Sequence, residues 1–428
     1  MRVDDGWNRV SSILLVLWVA LLGLDRVDFL GGEGPFLLTP FLLLTPLLIG
    51  FEVFRWAGSR ERVRLRATGA WYLLSLLLFL GVVLLSTFLA RDLLMSAKRF
   101  ALLGFISLGT LAVAAVVSGR EGTVRALVLG AKVGLGITLL FALLEGMAFW
   151  MGLTDPVRLG FVSVNLWPHT YYGILPRISG PVLDANRGGL LMVFYLFVLL
   201  RWGRSGPGRA GWVLLGALMI VLSLSRSALL AGGIVALVAW VDGREVVVSR
   251  RVALAGLAML ALGSGWLLAS PASREGLART LSPLAQRLSP MESSTREHFY
   301  LLGRGVEEGT ESVKRAVVGL GYGNAYLVLQ DVFPGNKYGN FHSLYVTMLA
   351  ESGVLALILS LVLLLSPLLL PGPFRPLVAG FVFFNLFYQT LAEPLFWFAL
   401  ALAWLTMVSR GGRPVRHEDA PVIRRSPT

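Results

Sequence analysis

Long apolar runs separated by short polar segments dominate the chain. Most of these runs approach the roughly twenty residues that an α-helix needs to cross a bilayer. The first run is short for a span, and the last two are divided only by Ala392, Glu393 and Pro394. The pattern predicts about twelve transmembrane helices, at residues 9–24, 35–54, 68–90, 98–118, 124–153, 184–202, 210–224, 226–242, 250–270, 342–366, 374–391 and 392–409.

Composition agrees with a membrane setting. Hydrophobic residues make up 56% of the 428 residues, charged residues make up 15%, and the mean hydropathy is +0.73. These values lie well outside the range of soluble domains. We therefore expect an all-α polytopic membrane protein with a single transmembrane domain over residues 1–409. The chain has no cysteine, which excludes disulfides and thiolate metal ligands.

Basic residues predict the orientation of these helices. Arginine is concentrated in the segments that follow alternate predicted helices, and the intervening short segments have no comparable excess. Because cytoplasmic loops carry the excess of Lys and Arg, both termini are predicted to be cytoplasmic, with residues 410–428 as a basic tail. Residues 154–183 and 271–341 then form two outer loops, the second directly before the tenth helix. Topology thus accounts for much of the net charge of +13, and no nucleic-acid partner is expected.

The stretch from Gly319 to Gly353 holds the most unusual polar pattern. It runs from the glycine-rich sequence GLGYGN through a polar segment to His342, at the start of an apolar run. A histidine entering a membrane helix is costly unless it has a function or a partner, so His342 is a candidate functional residue. The alternative is an interfacial histidine whose polar atoms bond to the backbone. For GLGYGN we expect a tight turn, with a phosphate-binding loop as the alternative.

Four arginines on the predicted outer side are candidates for anion binding. They are Arg177, Arg187, Arg226 and Arg296. Arg226 lies between two apolar runs with almost no loop, where an uncompensated charge costs on the order of a few kcal/mol. An anionic partner is therefore predicted, and a guanidinium suits a diphosphate because it donates two parallel hydrogen bonds. The alternatives are a salt bridge and contact with lipid phosphate. Arg296 falls in a predicted amphipathic helix over residues 293–305, whose apolar side is expected to lie on the bilayer.

Five motifs together resemble those of the O-antigen ligase and O-antigen polymerase superfamily. They run from Arg177 to Gly353 and read, in order, RISGPVLDANRGG, SLSRS, STREHFY, GLGYGN and HSLYVTMLAESG. The resemblance implies a GT-C-like membrane glycosyltransferase in the bacterial inner membrane, with its active site on the periplasmic side. It implies that a glycan on undecaprenyl diphosphate is moved to a hydroxyl of lipid A core or of another glycan acceptor. Ser343 departs from the family pattern, which often has asparagine after the histidine.

The resemblance also implies roles for individual residues. His342 is expected to be the general base that deprotonates the acceptor hydroxyl, a contribution of typically about 10²- to 10⁴-fold. Arg226 and Arg296 are expected to bind the diphosphate, with Arg187 or Arg177 as a further contact. Supporting roles are expected for Ser343, Tyr322, Asn324 and Glu393, and for Glu393 the alternative is a helix cap before Pro394.

No metal and no other cofactor is expected. The predicted outer loops hold no Asp-x-Asp motif, and a cationic clamp can stabilise the leaving diphosphate in place of a metal ion. Direct attack by the acceptor would invert the anomeric centre, because no carboxylate nucleophile is evident.

Several alternatives stay open at the level of sequence. An O-antigen polymerase, which extends carrier-linked repeat units, shares the donor chemistry of a ligase. A transporter of lipid-linked glycans and a cell-wall glycan polymerase are less favoured, because the polar residues gather on one side and feature arginine and histidine. Lys132, Glu145 and Glu351 receive no role beyond contacts with other helices. His169 and His298 are interpreted as interfacial residues.

Overall fold

A computed structural model describes most of the chain, and over this part the protein is mostly helical. The predicted helix at 250–270, the tail at 410–428 and the first part of the second outer loop lie outside the described residues. The described residues are 3–30, 37–57, 67–118, 122–171, 175–203, 206–242, 293–337 and 339–407.

Helices follow one another along the described chain with few strands between them. The helices before residue 243 are α1 (Val3–Ala20), α2 (Pro40–Ala57), α3 (Ala67–Phe88), α4 (Leu93–Ser118), α5 (Thr123–Met151), α6 (Ala185–Trp202), α7 (Pro207–Leu222) and α8 (Arg226–Val241). Those after residue 292 are α9 (Ser293–Thr310), α10 (Val313–Val318), α11 (Leu344–Leu369), α12 (Arg375–Phe384) and α13 (Pro394–Thr406), with a 3₁₀ turn at Ala325–Leu327.

Apolar helices of spanning length confirm the membrane character predicted from the sequence. Among the described residues, α3, α4, α5 and α11 are long and apolar enough to cross a membrane. Shorter apolar helices lie at Arg9–Ala20, Gly208–Leu222, Arg226–Val241, Arg375–Phe384 and Pro394–Thr406. The figure of twelve spans stays a prediction.

The loop between α5 and α6 corrects the purely α-helical prediction. It contains β2 (Val157–Leu159), β3 (Val162–Val164), β4 (His169–Tyr171) and β5 (Leu175–Arg177), and β1 (Val27–Asp28) follows α1. The strands β1, β3 and β2 form one antiparallel sheet in that order, and β4 pairs with β5 in a second. Polar backbone outside the helices needs hydrogen-bond partners, and these short ladders supply them.

The predicted span at 374–391 is wrong in its second half, because α12 ends at Phe384. Asn385 is buried there, and its side-chain oxygen accepts hydrogen bonds from both the backbone and the hydroxyl of Thr390. These bonds fold residues 385–390 into a turn instead of a continued helix. The turn becomes a docking point for the start of α11, because Leu344 donates its backbone N–H to the Asn385 carbonyl.

The described part of the predicted second outer loop folds against α11. Its predicted helix over 293–305 extends to Thr310 as α9. The apolar side of this helix was expected to lie on the bilayer, but its Leu301 is 1% exposed and packs with Phe341 and Ala350. Close contact is possible because a Cβ at Gly305 would come within 2.3 Å of Val346. This described part of the loop is therefore packed against one end of the helices.

The centre of the protein is α13, whose residues from Pro394 to Leu405 are all buried. A helix that is apolar on every side belongs in the interior. The Trp397 ring packs against Phe79 of α3 in a tilted arrangement, and the Trp404 indole lies near Tyr72 of the same helix. Glu393 is the residue directly before the N-terminus of this central helix.

Contacts between helix ends define two ends of the bundle. At one end, Arg375 at the start of α12 pairs with Asp242 after α8 at 3.0 Å. At the other end, Arg187 of α6 pairs with Asp25, which follows α1, and with Glu393, which precedes α13. The helices α6, α8, α11 and α13 all begin at this second end, which is called the site end below.

A buried ion pair ties the site end together. Arg26 and Glu145 form a salt bridge in which neither side chain is exposed to solvent. The Arg26 guanidinium also donates to the backbone oxygens of Val182 (3.0 Å) and Asn165 (2.7 Å). The Glu145 carboxylate accepts from the Ser179 hydroxyl at 2.7 Å. Two buried charges are thus balanced by each other and by several hydrogen bonds.

Replacing Glu145 with Gln should destabilise the protein strongly. The change keeps the shape of the side chain but leaves the buried Arg26 charge uncompensated, which costs about 3–5 kcal/mol. The measurement is the free energy of unfolding of purified protein in detergent. Glu307→Gln is the matched control, because Glu307 is 74% exposed and lies 3.8 Å from Arg304, so it should change stability by less than about 1 kcal/mol. Equal stabilities for the two variants would contradict this assignment.

Candidate active site at the helix ends

His342 sits in a strained backbone conformation directly before α11. Its φ is +53°, a left-handed value that is uncommon for a residue with a side chain. The Asn340 side chain accepts the His342 backbone N–H at 2.8 Å. Ser343, the next residue, donates its hydroxyl to the Asn385 carbonyl at 3.2 Å. The strain is therefore held by contacts on both sides, as is common at functional sites.

The His342 ring lies among aromatic groups and one carboxylate. Its centroid is 4.7 Å from that of His298 on α9 and 6.2 Å from that of Phe333. Burial lowers the pKa of His342 below its ordinary value of 6.5, and the charge of Asp184 at the start of α6 raises it by less. His342 is therefore neutral near pH 7 and able to accept a proton.

Arg187 lies beside two carboxylates at the site end. Its guanidinium contacts Asp25 at 2.5 Å and also Glu393. Burial raises the pKa of Glu393 to about 7, against the opposing effect of the Arg187 charge. The predicted salt-bridge alternative thus applies to Arg187, whose charge is already balanced by protein groups. Its predicted contact with a diphosphate would require an exchange of partners.

Arg177 and Arg226 occupy the ends of β5 and α8. Arg177 donates to the Ser223 carbonyl at 3.2 Å and to the Asn186 side chain at 3.1 Å, both neutral acceptors. Arg226 is the first residue of α8 and is half-buried, three residues after Ser223. The two arginines are therefore brought to the same junction of α6, α7 and α8.

The glycine pair in α6 makes this junction possible. A Cβ at Gly188 would meet the Ser179 carbonyl oxygen at 2.3 Å, and one at Gly189 would meet the Ala228 Cβ at 2.6 Å. Only glycine allows the backbones and small side chains to approach this closely. The motifs RISGPVLDANRGG and SLSRS are thus packed face to face.

Arg296 lies on an exposed turn of α9, two residues before His298. Because His298 contacts His342, this part of α9 lies beside the start of α11. The structure therefore brings His342 and the four predicted arginines to the same end of the bundle.

The sequence GLGYGN forms a tight turn and not an open anion-binding loop. Gly319, Gly321 and Gly323 all have positive φ, and a Cβ at Gly319 would come within 2.2 Å of the Glu351 backbone. The Glu351 carboxylate accepts the backbone N–H groups of Gly323 at 2.9 Å and Ala325 at 2.8 Å. These N–H groups are consequently committed to a protein carboxylate. This finding favours the predicted turn and also assigns a structural partner to Glu351.

Tyr322 and Asn324 fasten the same turn to the start of α4. The Tyr322 carbonyl accepts the Ser96 hydroxyl, and the Asn324 side-chain oxygen accepts the Asp92 backbone N–H at 2.9 Å. Both residues are buried. Their contacts support the loop fold, whereas direct contact with a substrate stays a prediction.

Three residues of the site end were not assigned to the site from the sequence. The sequence analysis gave Asp25 and Asp184 no role, and it interpreted His298 as an interfacial residue. The only local signal was for Asp184, which precedes α6 and accepts the N–H groups of Asn186 and Arg187 as an N-cap. Their convergence depends on contacts between distant segments, which no local pattern encodes.

Comparison with known proteins identifies no family for this chain. No protein-family model and no curated protein sequence matches the chain. The class that the fold defines is a mostly helical protein with helices able to span a membrane. Within the described residues, no group of three or more His, Cys, Asp or Glu side chains is arranged to hold a metal ion.

Replacing Glu351 with Gln should loosen the GLGYGN turn. An amide offers one oxygen in place of two, so one of the N–H groups of Gly323 and Ala325 loses its partner, at a cost of about 1–3 kcal/mol. Hydrogen exchange of residues 319–327 should accelerate relative to the wild type. Glu307→Gln should leave exchange in this segment unchanged. Unchanged protection in Glu351→Gln would mean that other contacts hold the turn.

Glu393 should make stability depend on pH. Its pKa of about 7 in the folded protein exceeds its ordinary value of 4.5, so the folded state binds this proton more tightly than the unfolded state. The resulting stabilisation is complete below pH 4.5 and is lost as the pH rises through about 7. Glu393→Gln should therefore gain stability relative to the wild type over this interval, measured as a difference in unfolding free energy. A difference that does not vary with pH would argue against the raised pKa.

Proposed function

We propose that this protein is a membrane glycosyltransferase of the O-antigen ligase type. It moves a glycan from undecaprenyl diphosphate to a hydroxyl of lipid A core or a similar surface acceptor, without a metal or another cofactor. The observation that carries the proposal is the convergence of His342 and four arginines at one end of an apolar helical bundle. The resemblance of the motifs to the O-antigen ligase and polymerase superfamily supports the same conclusion.

His342 serves as the general base in this reaction. It takes the proton of the acceptor hydroxyl while that oxygen bonds to the anomeric carbon, and the bond between that carbon and the diphosphate oxygen breaks. The electron pair of the broken bond leaves with the diphosphate, and the anomeric centre inverts. The lowered pKa of His342 supports this role because it keeps the imidazole neutral before the reaction.

The arginines bind the diphosphate and stabilise its growing charge. Arg226 and Arg296 are the principal contacts: Arg226 lies at the start of α8, and Arg296 is exposed beside the His298 turn. Arg177 adds a further positive charge beside Arg226, and its guanidinium also donates to the Ser223 carbonyl and the Asn186 side chain. Arg187 binds the diphosphate only if the donor displaces Asp25 or Glu393 from its guanidinium. Positively charged donors placed where charge develops supply a large part of catalysis in such sites.

The proposed setting is the bacterial inner membrane. The chain crosses it about twelve times in a GT-C-like arrangement with both termini in the cytoplasm, so that the site end faces the periplasm. The arginine distribution along the sequence supports this orientation. The four long apolar helices support the placement in a membrane.

A transfer assay with purified protein in nanodiscs tests the proposal. Carrier-linked glycan is the donor, lipid A core or a second carrier-linked glycan is the acceptor, and EDTA is present throughout. His342→Ala should reduce transfer by about 10²-fold or more, since general-base catalysis contributes about 10²- to 10⁴-fold. Arg226→Ala should also lose transfer. Arg125→Ala is the matched control, because Arg125 is exposed at the opposite end of the bundle.

The outcomes separate the candidate functions. Product on lipid A core supports the ligase, and chain growth on the carrier makes the protein a polymerase with the same site. Activity that is insensitive to both substitutions would remove His342 and Arg226 from the mechanism. Movement of labelled carrier lipid across the bilayer, with no transfer to either acceptor, would replace the enzyme by a transporter.

A further inference from the structure

A second histidine faces His342 across the site end. His298 belongs to α9, and its ring meets the His342 ring edge-on, with centroids 4.7 Å apart and an interplanar angle of 67°. Offset or edge-to-face contacts are the favourable arrangement for two rings. The two histidines come from segments more than forty residues apart in the sequence. Their contact is therefore a product of the tertiary fold.

The packing of α9 on α11 fixes the position of His298. Leu301 and Gly305 lie three and seven residues after His298, on the same face of α9. Leu301 is buried, and the Gly305 backbone lies against Phe341 and Val346. The His298 side chain is thus directed to the start of α11 by a glycine contact that tolerates little movement.

The backbone of His342 fixes the other half of the pair. Its positive φ, its N–H bond to Asn340 and the docking of Ser343 on Asn385 leave the ring few alternative orientations. Phe333 covers a further side at 6.2 Å. Two positioned imidazoles therefore share one partly buried space.

Two imidazoles at this separation cannot both be protonated without repulsion. The first proton is favoured by the charge of Asp184, and the second is opposed by the first. The titratable and charged groups on the elements around the pair are Asp184 and Arg187 on α6, Arg296, Glu297 and Tyr300 on α9, Asp331 and Lys337 in the following loop, Tyr345 on α11, and Tyr388 and Glu393 before α13. Among these, Asp184 is the group whose charge acts on His342.

We propose that His298 is a positioning residue for His342 and that the two rings act as a pair that is neutral at rest and accepts no more than one proton near neutral pH. This inference rests on the proposed transferase for the reaction it serves. When His342 takes the proton of the acceptor hydroxyl, a neutral His298 ring lies against the imidazolium. The proton then passes to water, which restores neutral His342 without the pair of imidazoles ever holding two protons.

Histidine titration tests the pair without any assumption about catalysis. The chain has only four histidines, so their ring signals can be followed by NMR in labelled protein and assigned with single variants. In the wild type, the His298 and His342 signals should each show two inflections separated by about one pH unit or more. In His298→Phe, which keeps an aromatic ring but removes the titrating nitrogens, His342 should show one inflection. His417→Gln is the control and should leave both curves unchanged.

The transfer assay tests the positioning role. In His298→Phe, kcat should fall about tenfold, and KM for donor and acceptor should change little. The fall is smaller than the full contribution of a general base, which is typically about 10²- to 10⁴-fold. The acid limb of the pH profile should also become a single transition. His298→Gln is a second variant in case the larger ring disturbs the fold.

Each outcome has a definite meaning. A single inflection for both histidines in the wild type would overturn the pair, and so would a His342 curve unaffected by His298→Phe. Two inflections with unchanged kcat in His298→Phe would overturn the positioning role. Two inflections in a protein that transfers no glycan would leave the imidazole pair standing and remove the proposed function.

Discussion

The buried ion pair between Arg26 and Glu145 is the contact on which the site end depends. A charge enclosed by apolar helices is tolerated only when an opposite charge and hydrogen bonds replace its water. Arg26 meets this condition by joining the end of α1 to α5 and to the segment that leads into α6. That segment continues directly to Asp184 and Arg187. The positions of the α6 side chains therefore follow from a pair that lies outside the candidate site itself.

The same constraint explains the rest of this end of the bundle. Glu351 is buried within α11, and the backbone N–H groups of the GLGYGN turn satisfy its carboxylate. These bonds hold the turn against α11, at the start of the segment that leads to His342. Arg187 is balanced by Asp25 and Glu393. The charged groups of Arg26, Glu351 and Arg187 thus each hold one segment to another.

Sequence periodicity was sufficient for the helices and insufficient for their junctions. The runs that became α3, α4 and α5 were predicted within a few residues, because each is a long apolar segment ended by polar residues. The end of α12 was missed because Asn385 stops the helix through bonds to Thr390, and nothing in the hydrophobic pattern indicates them. His342 and Arg226 were singled out because a charge or an imidazole beside an apolar run is conspicuous. Asp25, Asp184 and His298 were not, since their importance arises from neighbours distant in sequence.

The helices α12 and α13 are short compared with a bilayer. At about 1.5 Å per residue, the 13 residues of α13 span about 20 Å and the 10 residues of α12 about 15 Å, whereas the 26 residues of α4 span about 39 Å. A bilayer has a hydrocarbon core about 30 Å thick. Neither α12 nor α13 is therefore long enough to cross that core alone. The non-helical backbone between them, from Asn385 to Glu393, must find hydrogen-bond partners inside the protein, and Leu344 and Trp397 supply two of them.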